Sequence, residues 1–241
     1  PDKPVTPPTP GTHYKGGSVI IPEVKLNTRD HFAYLFGYPD STFRPDKSMT
    51  RAEVAAMFVR LMEKAPDASA ASFKDVAPGA WYYDYIAKAE AAGILKGYED
   101  GSFRPQGEIT RAEFAAIATR FDKLSPAPIA FTDVAKDYWA HDAIAAAYGK
   151  GWIAGYEDNT FRPAQNIKRS EVATLTNRVL NRYADKDWVQ ANRQAIVNFT
   201  DVNENHWAFY PITEATNGHD YTRNSDGKNE TWIQLNHLER R

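Results

Sequence analysis

The chain of 241 residues carries 29 Lys and Arg against 31 Asp and Glu, a net charge of -2, so it lacks the basic excess on which general nucleic-acid binding rests. With 0 Cys it can form no disulfide, thiolate metal site or cysteine nucleophile. No apolar run approaches the length of about 18 residues that a helical membrane span needs.

Residues 1–17 open on PDKPVTPPTP, a Pro/Thr-rich stretch that reads as a semi-rigid extended linker and implies a further domain upstream. SVIIPEVKL (18–26) has strand character, as does TWIQL (231–235) near the other end, and pairing between them predicts a small terminal β clasp. Between these segments two phrases alternate. The first is GYPDSTFRPDKSMTRAE (37–53), GYEDGSFRPQGEITRAE (97–113) and GYEDNTFRPAQNIKRSE (155–171). The second is FKDVAPGAWYYDYI (73–86), FTDVAKDYWAHDAI (131–144) and FTDVNENHWAFYPI (199–212). Self-similarity at a near-fixed period marks stacked units that cannot bury a core alone. The polar insert between Glu171 and Phe199 predicts a longer helix or an added loop in the third unit.

Each unit predicts two helices. After the Thr-Arg-Ala-Glu motif, apolar residues fall at Val54, Phe58 and Leu61, at Phe114, Ile117 and Phe121, and at Val172, Leu175 and Val179. Steps of three and four give one buried stripe. Ile86 and Ala89, Ile144 and Ala147, and Ile212 and Ala215 form a second helical face, with Trp81, Trp139 or Trp207 at its start. GYxDxxFRP between the helices is turn chemistry, with Ser41, Gly101 and Asn159 at the position that needs φ > 0 and a proline blocking helix. The fold class is therefore mainly α. The chain starts and ends partway through a unit: residues 18–65 form one half-unit, 66–125 and 126–198 are whole units (the second with the insert), and 199–241 supply the other half-unit and a tail. Joining the two halves predicts a closed ring rather than an open array with exposed ends.

Thr50 with Glu53, and Thr110 with Glu113, are capping boxes that account for two letters of the motif by helix initiation alone. Arg51, Arg111 and Arg169 are different, because a cation in the first turn opposes the helix dipole by about 0.3–1 kcal/mol. A salt bridge is the bland account. Anion capture, by a guanidinium converging with open N-terminal amides, is the functional one and the stronger of the two. Trp81, Trp139 and Trp207 fit buried anchors or half-exposed platforms for a sugar face. Asp75, Asp133 and Asp201 fit turn acceptors or ligands of sugar hydroxyls. Arg44, Arg104 and Arg162 pair most simply with Asp40, Asp100 and Asp158. The six histidines show no metal-ligand spacing, GYEDG lacks the alternating oxygen ligands of a calcium loop, and no metal or cofactor is expected.

These motifs closely resemble the S-layer homology family. The resemblance implies a pseudo-threefold cluster of three units around a helical core, with three short prongs. It implies non-covalent anchoring of a secreted protein to the bacterial cell wall, without catalysis, by binding a secondary cell wall polymer attached to peptidoglycan, one carrying pyruvylated N-acetylmannosamine. The ligand would lie in grooves between units, and the resemblance assigns Arg51, Arg111, Arg169, Trp81, Trp139, Trp207, Asp75, Asp133, Asp201, Gly37, Gly97 and Gly155 to ligand binding. A surface-lattice self-assembly module and a wall-active glycosidase are the rival readings. The chain departs from the pattern at Lys168, which cannot accept a capping bond. Unequal grooves follow, with Arg111 expected in the strongest.

Overall fold

The computed structural model describes residues 24–68, 70–122 and 126–236. Among them are seven α-helices and one two-stranded antiparallel sheet, and no helix is long and apolar enough to cross a membrane. The linker and the first part of SVIIPEVKL lie outside the described residues. Thr50–Val59 and Lys64–Gln165 fall in one compact unit; Leu26–Met49, Arg60–Glu63 and the residues from Asn166 on fall in the other, so the division passes through the first helix.

The first unit holds most of α1 (Arg51–Leu61), with α2 (Tyr83–Ala91), α3 (Arg111–Ala118) and α4 (His141–Gly149). Both α1 and α3 start on the capping boxes read from sequence: Thr50 and Thr110 hydroxyls accept from Glu53 N and Glu113 N at 3.2 Å, and the glutamates accept in return at 2.8 Å. The predicted stripes of α1 and α3 are buried except at Phe121, which is half-buried; Val54 and Phe58 have 0% exposure, and Phe58 packs against Phe114 and Phe121. α3 tightens into a 3-10 turn at Thr119–Phe121, which carries Phe121 onto that cluster. Ile86, Ala89, Ile144 and Ala147 bury the inner faces of α2 and α4.

The second unit holds α5 (Arg169–Leu180), α6 (Lys186–Ala191), α7 (Phe209–Thr216) and the hairpin β1 (His219–Arg223) and β2 (Glu230–Leu235). In the insert α5 runs to 12 residues against 8 for α3, as expected of a prolonged helix, and a short helix, α6, follows it where a loop was the alternative. Only half of a capping box remains at α5. Glu171 accepts from Lys168 N at 3.0 Å, but the Lys168 ammonium has no lone pair to give and pairs instead with Asp46 at 2.7 Å. Most of the first strand of the predicted clasp, residues 18–23, lies outside the described residues. TWIQL does form β2, but its partner is β1 in a local hairpin, while Leu26 bridges to Met62. A hairpin partner only seven to sixteen positions away costs little loop-closure entropy.

Candidate functional site

Each prong is built by the same local bonds. In the first unit, both carboxylate oxygens of Asp75 accept backbone N–H groups, from Phe103 at 2.7 Å and Arg104 at 2.7 Å. Asp133 does the same for Phe161 and Arg162, at 2.8 and 2.7 Å. In the second unit Asp201 holds Phe43 and Arg44 at 2.8 and 2.7 Å, so residues 199–202 meet residues 41–44 in the pattern that 73–76 make with 101–104. These bonds serve a conformation that sequence reasoning missed. Arg44, Arg104 and Arg162 all have φ near +57° (57, 57 and 56). A left-handed arginine costs about 1–2 kcal/mol. The chelating aspartate offsets this, as do stacking on Tyr38, Tyr98 and Tyr156 at 4.0, 4.0 and 3.8 Å and pairing with Asp40, Asp100 and Asp158. Those three exposed aspartates are held at about 2, first by hydrogen bonds from Thr42, Ser102 and Thr160 and then by the arginines.

The motif arginines are buried, at 5% (Arg51), 5% (Arg111) and 4% (Arg169) exposure. Arg51 Nε donates to Phe103 O at 2.8 Å and its Nη2 to Lys96 O at 2.8 Å. Arg111 donates to Phe161 O and Ala154 O at 2.9 and 3.2 Å. Arg169 donates to Phe43 O and Phe36 O at 2.8 and 2.7 Å. The first repeat's arginine therefore bonds the second repeat's prong, the second's bonds the third's, and the third's bonds the first's. The helix starts are filled likewise. Arg51 N donates to Gly107 O and Ala52 N to Pro105 O, with Arg111 N and Ala112 N, and Arg169 N and Ser170 N, bound equivalently. The open N-terminal amides expected for anion capture are thus already taken by carbonyls, which accept there because the dipole's positive end attracts any oxygen lone pair.

Gly37, Gly97 and Gly155 have a packing role. A Cβ on them would stand 2.2, 2.3 and 2.3 Å from Phe199, Phe73 and Phe131, so each ring of the second phrase packs directly against a glycine of the first. The tryptophans are not the buried anchors of the bland reading: Trp81 is 56% and Trp207 63% exposed, and Trp139 is half-buried.

In the first unit these parts meet around an open cleft. Arg51, Lys96, Gly97, Tyr98, Glu113, Arg120 and Trp139 line it over a floor of Leu95, Ala116 and Ile117. Arg51 Nη1 turns to Glu113 at 3.4 Å, and Arg120 donates to Ile94 O. Although Arg120 is exposed as a residue, burial of its guanidinium and the nearby Arg51 charge lower its pKa. Three cations face one carboxylate here, beside two aromatic rings. Of the residues assigned from sequence, the cleft brings together Arg51, Gly97 and Trp139; Asp75 and Asp133 do not line it. Lys96 and Arg120 were missed, because neither belongs to a repeated motif.

Elsewhere, in the second unit, His31, Glu214, His219 and Glu230 bring four potential metal-ligand atoms within 4.8 Å of one another. No spacing signals this group, since His31 and His219 are 188 positions apart.

The model of the S-layer homology domain matches residues 34–55, 72–115 and 130–173. The chain is 38% identical over 208 residues to cell surface glycoprotein 1 of Acetivibrio thermocellus, covering 80% of this chain and 9% of that protein. It is 37% identical over 212 residues to the cellulosome-anchoring protein of the same organism, covering 83% and 46%. To S-layer protein EA1 of Bacillus anthracis it is 29% identical over 203 residues, covering 82% and 22%. The chain spans less than half the length of these relatives. Other relatives bear enzyme names, among them an amylopullulanase of which the match covers 8%.

Proposed function

Because three segments of this chain belong to the S-layer homology domain family, we propose that it is a non-catalytic anchoring module. It binds a secondary cell wall polymer attached to peptidoglycan and thereby holds the secreted protein that contains it at the bacterial surface. The Arg51–Trp139 cleft carries this reading. A net positive, partly dry cleft favours an anion, and an aromatic wall favours the C–H face of a sugar ring. A pyruvyl ketal on N-acetylmannosamine supplies both on one residue: its carboxylate faces Arg51, Lys96 and Arg120, and its pyranose lies on Trp139. Glu113 is positioned to accept sugar hydroxyls.

By repeat register, Arg111, Arg169, Trp81, Trp207, Gly37 and Gly155 are proposed to serve equivalent sites. The Arg169 copy, with half a capping box, is the weakest. Asp75, Asp133 and Asp201 act through the prong they hold rather than by touching the polymer, since both oxygens of each are engaged by amides. The same reading includes a pseudo-threefold cluster of two whole units (66–125 and 126–198) and one split between 18–65 and 199–241. Its support is the order of the arginine bonds, which runs from the first repeat to the second, to the third and back.

Co-sedimentation with purified sacculi, intact or chemically stripped of their polymer, tests the function. Binding lost on stripping is the expected result. Concentration-dependent oligomers without any wall would instead make this a self-assembly module, and release of soluble sugar would make it a glycosidase.

A further inference from the structure

The polar group at His31, Glu214, His219 and Glu230 lies outside all three segments matched by the family model. His31 precedes the first repeat, Glu214 projects from α7, and His219 and Glu230 face each other from the hairpin. All four side chains have 0% exposure. His31 Nδ1 lies 3.0 Å from His219 Nε2, 3.3 Å from Glu230 Oε2 and 3.8 Å from Glu214 Oε1. His219 Nε2 lies 3.7 Å from each of the two carboxylate oxygens.

These four atoms carry too few protons for one another. His219 Nδ1 lies 3.0 Å from Asn217 O, which can only accept, so Nδ1 holds the ring's proton and Nε2 of the neutral ring is a bare lone pair. The carboxylates offer only lone pairs. That leaves at most one proton, on His31 Nδ1, among four converging atoms. Accordingly Glu230 Oε2 accepts no well-formed hydrogen bond, and Glu214 Oε2 has no partner. Buried acceptors left this way are costly.

We propose that these residues form a structural site for a divalent transition metal of the zinc class, with His31 Nδ1, His219 Nε2, Glu214 and Glu230 as ligands. Zinc at bond lengths of about 2.0–2.1 Å holds tetrahedral ligands about 3.3–3.4 Å apart; the five separations that involve a histidine are 3.0–3.8 Å, and all four atoms lie within 4.8 Å of one another. Two imidazoles and two carboxylates suit zinc over the all-oxygen shells of calcium and magnesium. The surroundings orient His219, Glu214 and Glu230, the last through Arg223 at 2.8 Å, as metal sites require, while His31 Nε2 has no hydrogen-bond partner. Asn217 O fixes the His219 tautomer, Arg182 Nε holds Glu214 Oε1 at 2.8 Å, and Tyr221 and Trp232 stack on His31 and His219 at 3.8 and 3.7 Å. With four protein ligands and no exposed side chain the site is closed, so its work is to tie the segment before the first repeat to α7 and the hairpin.

Metal analysis of the tag-free chain after gel filtration, with titration of zinc alone into chelator-treated protein, tests this. About one zinc per chain is expected, with an upward shift of the thermal midpoint on adding zinc and none on adding magnesium. Cobalt in place of zinc gives the visible absorption of a four-coordinate site. Glu230→Gln and His219→Gln lose at least a hundredfold in zinc affinity. If those variants do not fold, the wild-type stoichiometry and midpoint shift still decide. Wild-type protein that takes up no zinc and shows no shift overturns the proposal, as does unchanged affinity in folded Glu230→Gln.

Discussion

The arginine at each helix start and the arginine at the centre of the second unit are both buried cations, but they are satisfied by different means. Arg51, Arg111 and Arg169 spend their donors chiefly on backbone carbonyls of a neighbouring repeat. Arg182, at 1% exposure, is balanced instead by a carboxylate, Glu214, with help from Phe32 O. Carbonyl pairing can be copied from repeat to repeat because every prong supplies the same oxygens. Charge pairing has to be built once, from particular side chains, and it draws further polar groups into the core around it.

Removing the charge partner should have the largest effect. Glu214→Ala strands Arg182 in the core and is expected to cost about 3–5 kcal/mol by chemical denaturation. Arg111→Ala leaves Phe161 O and Ala154 O without their donor, for an expected loss of about 2–4 kcal/mol, and Arg111→Lys should recover only part of it because an ammonium lacks the planar fork. If Arg111→Ala costs less than 1 kcal/mol, those carbonyl bonds are not what holds the repeats. Asp133→Asn keeps one acceptor for two amides and should cost about 1–2 kcal/mol. Lys168→Thr completes the capping box at α5 at the loss of a surface pair with Asp46, and a net gain of about 0.5–1 kcal/mol is expected. Smallest of all is the effect of acid on the prongs. Asp40, Asp100 and Asp158 have their pKa depressed to about 2, so their contribution is present above the ordinary carboxylate range and is lost as pH falls through about 2. Carboxyl titration by NMR checks this, and an ordinary value near 4 would contradict it.

What was legible in the sequence was what is local. The capping boxes and the pairs of Arg44, Arg104 and Arg162 with Asp40, Asp100 and Asp158 join residues three or four positions apart, and the buried stripes follow from helical period. The partners of the motif arginines were not legible, because Phe103 O and Phe161 O lie 52 and 50 positions away and a carbonyl has no residue identity to read. Nor were the left-handed arginines, since nothing in arginine's own preferences favours that region. Strand character marked TWIQL correctly, and among the described residues it pairs with β1. For the candidate site, the repeated motifs gave Arg51 and Trp139 and the family resemblance gave Gly97, while Lys96 and Arg120 required the fold to bring them in.

The most direct test of the anchoring account is calorimetric titration of a pyruvylated polymer fragment into the wild-type chain and Trp139→Ala, since that half-exposed ring can be removed without stranding a buried partner. The account predicts at least a tenfold loss of affinity, about 1.4 kcal/mol, with the thermal midpoint little changed. Unchanged affinity in a folded Trp139→Ala would contradict it.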